Sequence, residues 1–156
     1  MDLEKATKTL EEWDDICSDF GLIHYLIYGT ALGFYRDGGF IPWDNDIDTR
    51  VVCSREQWDT LIGRMKDCGF NSRTEEGYGY AKNQTLICIE HSPWAGKIQF
   101  NNNIIHNVIP VYHFDIVEFN GSKYNVPHPI EEYLSTRYGD WKKPEKNWDK
   151  HSAGGY

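Results

Sequence analysis

The sequence predicts one α+β (α/β) domain in which a mixed β-sheet is flanked by helices. Two observations carry that expectation. Two long segments place apolar residues at helical spacing, and several short runs rich in β-branched and aromatic residues fall between and after them. A third bounds it: 156 residues is the length of a single domain able to bury one core without staples. No internal repeat or second domain is visible, so residues 1–156 read as one unit with a basic, aromatic tail from about residue 139.

The first helix is expected over 3–20, where Leu3, Ala6, Leu10, Trp13, Ile16, Cys17 and Phe20 recur at helical spacing and Gly21 stops it. Residues 23–28 (IHYLIY) read as a short strand buried on both faces. Gly29-Thr30 ends it, and 31–36 suits a short helix whose N-terminus points back at the strand end. Asp37-Gly38-Gly39 is a turn, and Pro42 forces an extended approach into a second strand at 46–53. Residues 55–68 form an amphipathic helix with Ser54 as N-cap and Gly69 as its stop. A polar loop is expected over 71–79, a strand over 85–90 and a weaker one over 97–100. Asn101-Asn102-Asn103 reads as a turn, followed by an interrupted apolar run at 104–110. Residues 113–119 and 123–126 make a hairpin through Asn120-Gly121, and 129–138 a short helix.

Composition narrows the function. A net charge of -8 argues against a general nucleic-acid binder, which presents a basic face. It leaves a nucleotide substrate open, because a bound cation can supply local positive charge. Cys17, Cys53, Cys68 and Cys88 lack CxxC or Cys/His ligand spacing and read as reduced, mostly buried thiols, so no zinc is expected. The N-terminal stretch is charged and lacks the apolar centre of a signal peptide. No apolar run approaches a membrane span, so a cytoplasmic protein is the expectation. Glycosylation sequons at Asn83 and Asn120 carry little weight without a secretion signal.

The chemistry concentrates in residues 28–50, YGTALGFYRDGGFIPWDNDIDTR. Asp44, Asp46 and Asp48 alternate, so they share a face if the strand extends that far. Same-face carboxylates lie roughly 7 Å apart at Cα and repel, and the usual reason to tolerate that is a bound cation. The spacing suits one or two Mg²⁺ ions (Mn²⁺ is the alternative), completed by phosphate oxygens and water. An EF-hand loop fails here, because Thr49 stands where its glycine belongs and Arg55 where its closing glutamate belongs. A solvated acidic turn is the bland alternative. Against it stand Gly29, whose bare backbone admits a phosphate closely, and Thr30, which adds a hydroxyl near a helix start. Arg36 either reaches a phosphate across the turn or is an ordinary surface arginine.

This stretch, extended to Val51, closely resembles the signature of the LicD/fukutin family of phosphotransferases: a Gly-Thr turn, a Gly-Phe-Ile-Pro-Trp entry and a D-x-D-x-D run. Weaker similarity continues over 80–90, at 113–119 and at 133–144. The resemblance implies a minimal nucleotidyltransferase fold. It also implies that Gly29 and Thr30 hold nucleotide phosphates, and that Asp46 and Asp48 bind metal with Asp44 before them. Asp115 matches the third carboxylate, as general base or further metal ligand, with a hairpin-satisfied aspartate as the alternative. Lys82 either contacts phosphate or is a surface lysine. Tyr138, Gly139 and Asp140 match a closing motif, while Lys142, Lys143, Lys146, Lys150 and His151 belong to what is more safely read as a solvated tail.

The implied reaction transfers a phospho-alcohol, of phosphocholine or ribitol phosphate type, from a CDP-activated donor to a glycan hydroxyl. Two alternatives stay open: a small nucleotidyltransferase moving NMP from an NTP to a protein, sugar or small-molecule hydroxyl, and a non-catalytic nucleotide-binding module.

Overall fold

Helix α1 (Leu3–Asp19) starts where the Asp2 carboxylate accepts the Lys5 backbone N–H at 3.2 Å, and it ends before Gly21 at φ 61°. The computed structural model describes residues 1–73, 78–92 and 113–146. The strand, turn and apolar run expected over 97–110 lie outside the described residues, as do Lys150 and His151. The α1 stripe of Ala6, Leu10, Trp13, Ile16 and Cys17 is buried, as its periodicity requires. Helix α3 (Arg55–Asp67) is opened by a capping box between Ser54 and Gln57 and buries Trp58, Leu61 and Met65.

Both helices pack on one face of a mixed five-stranded sheet in the order β1-β2-β5-β4-β3, Trp58 of α3 stacking on His91. Its strands are β1 (Ile23–Leu26), β2 (Asp46–Val52), β3 (Asn71–Ser72), β4 (Gly79–Lys82) and β5 (Thr85–Ser92). Only the β2–β5 pair is parallel; β1 runs antiparallel to β2, and β4 antiparallel to both β5 and β3. Two expectations are corrected here. The first strand stops at Leu26 and lies at the sheet edge with Ile23 51% exposed, so it is not buried on both faces. The polar loop expected over 71–79 holds β3 at its start and the first residue of β4 at its end, and β4 pairs with β5 through a tight Asn83-Gln84 turn, both residues at positive φ.

Strands β6 (Phe114–Phe119) and β7 (Ser122–Pro127) form the expected hairpin around Asn120-Gly121, both at positive φ. The hairpin leans on β1, where Asn125 Nδ2 donates to the His24 carbonyl at 3.1 Å. Helix α4 (Ile130–Tyr138) follows.

Alternation gives β2 two unlike faces. Ile47, Thr49 and Val51 are buried against α1: His24 joins Thr49 Oγ1 at 3.2 Å to Asp14 of α1 at 2.7 Å, and Trp13 packs edge-on to its ring. Ile87 and Ile89 of β5 extend this apolar face. The opposite face carries Asp46, Asp48 and Arg50, and there the remaining helix, α2 (Tyr28–Arg36), and α4 assemble the site.

Candidate active site

The start of α2 is fixed to β2 from both sides of Asp48. The Ile27 N–H donates to the Asp48 carbonyl at 3.1 Å, and the Asp48 N–H donates to Thr30 Oγ1 at 2.9 Å. Tyr28 sits at φ 47°, a conformation that costs a bulky residue energy and needs surrounding support. That support is α4: the Tyr28 N–H donates to the Tyr133 hydroxyl at 2.9 Å, and the Arg137 guanidinium lies 4.4 Å from the centre of the Tyr28 ring. Gly29 follows, and a Cβ there would stand 2.4 Å from Asp44 Oδ2. Only a bare backbone lets a carboxylate approach this helix start so closely.

Asp44 lies outside β2, on a turn closed by its own N–H to the Ile41 carbonyl at 3.0 Å. It still faces the strand aspartates. Burial first and the Asp46 charge second push its carboxyl up to about 6. Asp48 is pushed well above the ordinary carboxylate range by burial and by the charges of Asp46, Asp44 and Glu90; the Arg137 guanidinium offsets only part of this. On the neighbouring strand, Cys88 stands opposite Asp48, and ligand atoms of Asp46, Asp48 and Cys88 lie within 4.8 Å of one another. Half-buried, mutually repelling carboxylates gathered this closely fit a divalent cation, and hard oxygen donors suit Mg²⁺ or Mn²⁺.

A cavity of about 390 Å³ opens in front of this group. Tyr28, Gly29, Asp44 and Asp48 line it, Arg36, Arg137, Lys143 and Lys146 bring positive charge, and Trp43, Tyr138 and Trp141 bring rings. Asp140 and Glu145 also line it, Asp140 pairing with Lys143 at 2.7 Å, so carboxylates and cations share one lining, which suits a metal-bound phosphate chain.

The residues singled out in the sequence divide accordingly. Gly29, Asp44, Asp46, Asp48 and Arg36 converge here. Arg36 is also held, by Asp37 and by the Trp141 carbonyl at 3.1 Å. Thr30 is 2% exposed and spends its hydroxyl as the acceptor that anchors β2, so it positions the turn rather than lining the cavity.

Lys82 is placed elsewhere. Its ammonium pairs with Glu12 at 2.5 Å, donates to the Cys68 carbonyl and sits over the Phe70 ring, which ties α1 to the end of α3. Asp115 is likewise not among the residues lining the cavity. It accepts the Ile130 N–H at 2.9 Å and His128 Nδ1 at 2.8 Å, capping α4 from β6. Partial burial opposes these bonds, which nonetheless hold its carboxyl below the usual range. Of the described tail residues, Lys142, Lys143 and Lys146 are exposed as expected, whereas Trp141 is buried and its Nε1 donates to Ser135 Oγ at 3.1 Å.

The sequence reading missed Cys88, Glu90 and Arg137. Glu90 pairs with the buried Arg50 and accepts the Tyr28 hydroxyl at 2.9 Å, joining β5, β2 and α2 beneath the aspartates. The available signal was alternation along 85–90, which places Cys88 and Glu90 on one face. It acquires meaning only once β5 is known to pair in parallel with β2.

A mixed sheet carrying strand-borne aspartates beside a Gly-Thr helix start defines a nucleotidyltransferase-type domain. Solved structures agree on that fold: the solution structure of the antibiotic-resistance factor ANT(2'')-Ia superposes with a TM-score of 0.59 at 15% identity, covering 97% of this chain and 80% of that one. A crystal structure of ANT(2'')-Ia in complex with adenylyl-2''-tobramycin gives 0.55 at 12% identity, covering 96% and 84%. The model of the LicD/FKTN/FKRP nucleotidyltransferase domain matches residues 21–129, and the chain belongs to that family. Among curated proteins it is similar to the mouse ribitol-5-phosphate transferase FKTN, 26% identical over 97% of this chain and 34% of that protein. The human protein of the same name is also 26% identical, over 94% and 34%. An uncharacterised Rickettsia prowazekii protein, RP689, is 23% identical over 92% and 54%. The chain therefore spans about a third of the length of the FKTN proteins it matches.

Proposed function

We propose that this domain is a divalent-metal-dependent transferase that moves a phospho-alcohol, of ribitol phosphate or phosphocholine type, from a CDP-activated donor to a glycan hydroxyl. The carrying observation is the cavity itself, which gathers Asp44, Asp48 and the bare Gly29 backbone with the cations of Arg36, Arg137, Lys143 and Lys146 in one lining. Family membership and the names of the FKTN relatives favour a ribitol-phosphate donor.

Asp46 and Asp48 would hold the metal, and Asp44 would stand beside them. When bound, the metal neutralises the donor's diphosphate and polarises the phosphoryl oxygens. The remaining work falls to the chain. The α2 start presents backbone N–H groups and the positive end of its dipole to the transferred phosphate. Arg36 and Arg137 add charge-assisted hydrogen bonds and fix its orientation. Trp43, Tyr138 and Trp141 offer faces for the nucleobase and exclude water. Asp44, which lines the cavity but stands outside the one-ion group, is placed to accept the acceptor hydroxyl's proton, whereas Asp115 is committed to capping α4.

Thermal shift with Mg²⁺ or Mn²⁺ and a panel of CDP-ribitol, CDP-choline, CTP, ATP and UTP tests this, followed by product analysis with the best donor. A CDP-alcohol with metal should raise Tm, with saturating ligand adding roughly 3 kcal/mol at a hundred times Kd. Asp46→Asn and Asp48→Asn should stay folded and lose the shift. Response to NTPs but not CDP-alcohols would replace phospho-alcohol transfer with nucleotidyl transfer. Binding without turnover would leave a nucleotide-binding module, and no response at all would sink the assignment.

A further inference from the structure

Cys88 is unlike a packing cysteine. Its strand neighbours Ile87 and Ile89 are fully buried on the α1 side, while Cys88 itself turns to the opposite face, in register with Asp48. Its thiol reaches Asp46 Oδ2 at 3.6 Å, and its sulfur completes a group with Asp46 and Asp48 in which every ligand atom lies within 4.8 Å of the others. One ion with ligands about 2.0–2.3 Å away needs them slightly closer than this limit, which side-chain rotation supplies without moving either strand.

We propose that Cys88 is a third protein ligand of the divalent-cation site, which makes it a two-carboxylate, one-thiolate centre able to take borderline and soft ions such as Co²⁺, Zn²⁺ and Cd²⁺ more tightly than Mg²⁺. The inference rests on the metal-dependent reading above and adds the identity of the ions. A carboxylate in this position would leave an all-oxygen site suited to hard cations. A sulfur changes the order of preference, because thiolate selects thiophilic metals while Mg²⁺ keeps oxygen and water. Binding is simple ligation: the S–H bond breaks, its proton passes to solvent, the sulfur lone pair binds the metal, and nothing is oxidised or reduced. Mg²⁺ uses Asp46 and Asp48 and leaves the thiol aside, so thiophilic ions compete with Mg²⁺ for the same two aspartates.

The full chain is titrated with Co²⁺ under reducing conditions, with absorbance and calorimetry followed together. A thiolate-to-cobalt charge-transfer band should grow and saturate at one equivalent. C88S should remove the band and weaken Co²⁺ and Zn²⁺ by at least about tenfold, while Mg²⁺ affinity changes less than about twofold. C68S should keep the band, and Asp46→Asn should lose it. If C88S misfolds, X-ray absorption on the Zn²⁺-loaded wild type decides, with a single sulfur expected at about 2.3 Å among oxygen ligands. Co²⁺ binding without the band, a band that survives C88S, an all-oxygen zinc shell, or no Co²⁺ binding overturns the proposal. Mg²⁺-supported CDP-alcohol binding in C88S reads the transferase assignment separately, so either idea can fail while the other stands.

Discussion

The surroundings of Asp44 and Asp48 disfavour their charged forms, and that has a sign. Burial and neighbouring carboxylates raise Asp44 from its ordinary 3.8 to about 6 and move Asp48 further in the same direction. A carboxyl whose folded pKa is raised binds its proton more tightly folded than unfolded. Its contribution to stability is therefore undiminished below about pH 4, is lost as the pH climbs through about 6, and then levels off for Asp44. Thermal denaturation of the metal-free chain should show Tm falling across that window, and saturating Mg²⁺ should flatten the fall. Asp44→Asn should raise metal-free stability at neutral pH by about 1 kcal/mol, less than full linkage because the carboxyl keeps contact with water. The same variant should lose most turnover. Asp115 makes the opposite case. Asp115→Ala removes the α4 cap and should cost about 1–2 kcal/mol in chemical denaturation, with turnover at permissive temperature reduced only a few-fold. A loss of several orders of magnitude in a folded Asp115→Ala protein would restore its role as the base.

Two glycines of α2 separate function from architecture. At Gly29 an added Cβ meets a carboxylate that must swing out of the site, so Gly29→Ala should fold with a Tm within a few degrees of wild type and bind metal and donor at least about tenfold more weakly. At Gly33 the Cβ meets the Gly39 carbonyl at 2.5 Å and Ile41 Cγ1 at 2.9 Å, which is backbone and core rather than a free side-chain end. Gly33→Ala should therefore cost about 1–3 kcal/mol before any effect on the site is considered. Denaturation and calorimetry on the two variants check the contrast. Both positions lie in a segment visible from sequence, yet the difference between them depends on which neighbour each one faces.

Across the molecule, legibility follows the range of the interactions. The helices α1 and α3 were readable because caps and apolar stripes are local, and the run from Asp44 to Asp48 because alternation is local. Cys88 and Glu90 were not, since a parallel pairing joins strands with a helix and a hairpin between them in the chain. Lys82 and Asp115 were assigned to the site and are engaged elsewhere, each by a partner distant in sequence: Glu12 for one, Ile130 and His128 for the other. Trp141 belongs to the same class. Buried against Tyr35 with its carbonyl on Arg36, it forms a cavity wall that composition had suggested was solvated. Trp141→Ala should cost about 3 kcal/mol and weaken donor binding with metal affinity preserved, as measured by calorimetry with Mg²⁺ alone and then with CDP-ribitol.

The bond from the Tyr28 N–H to the Tyr133 hydroxyl has a consequence for synthesis. A chain emerging from the ribosome exposes the Gly-Thr turn and all three aspartates early, yet the hydroxyl that holds Tyr28 in its unfavourable conformation arrives 105 residues later. Until α4 docks, Tyr28 is free to relax and the helix start has no fixed aim, so a nascent chain carries the carboxylates without the cradle. Competence to bind phosphate is thus delayed until nearly the whole domain has been made.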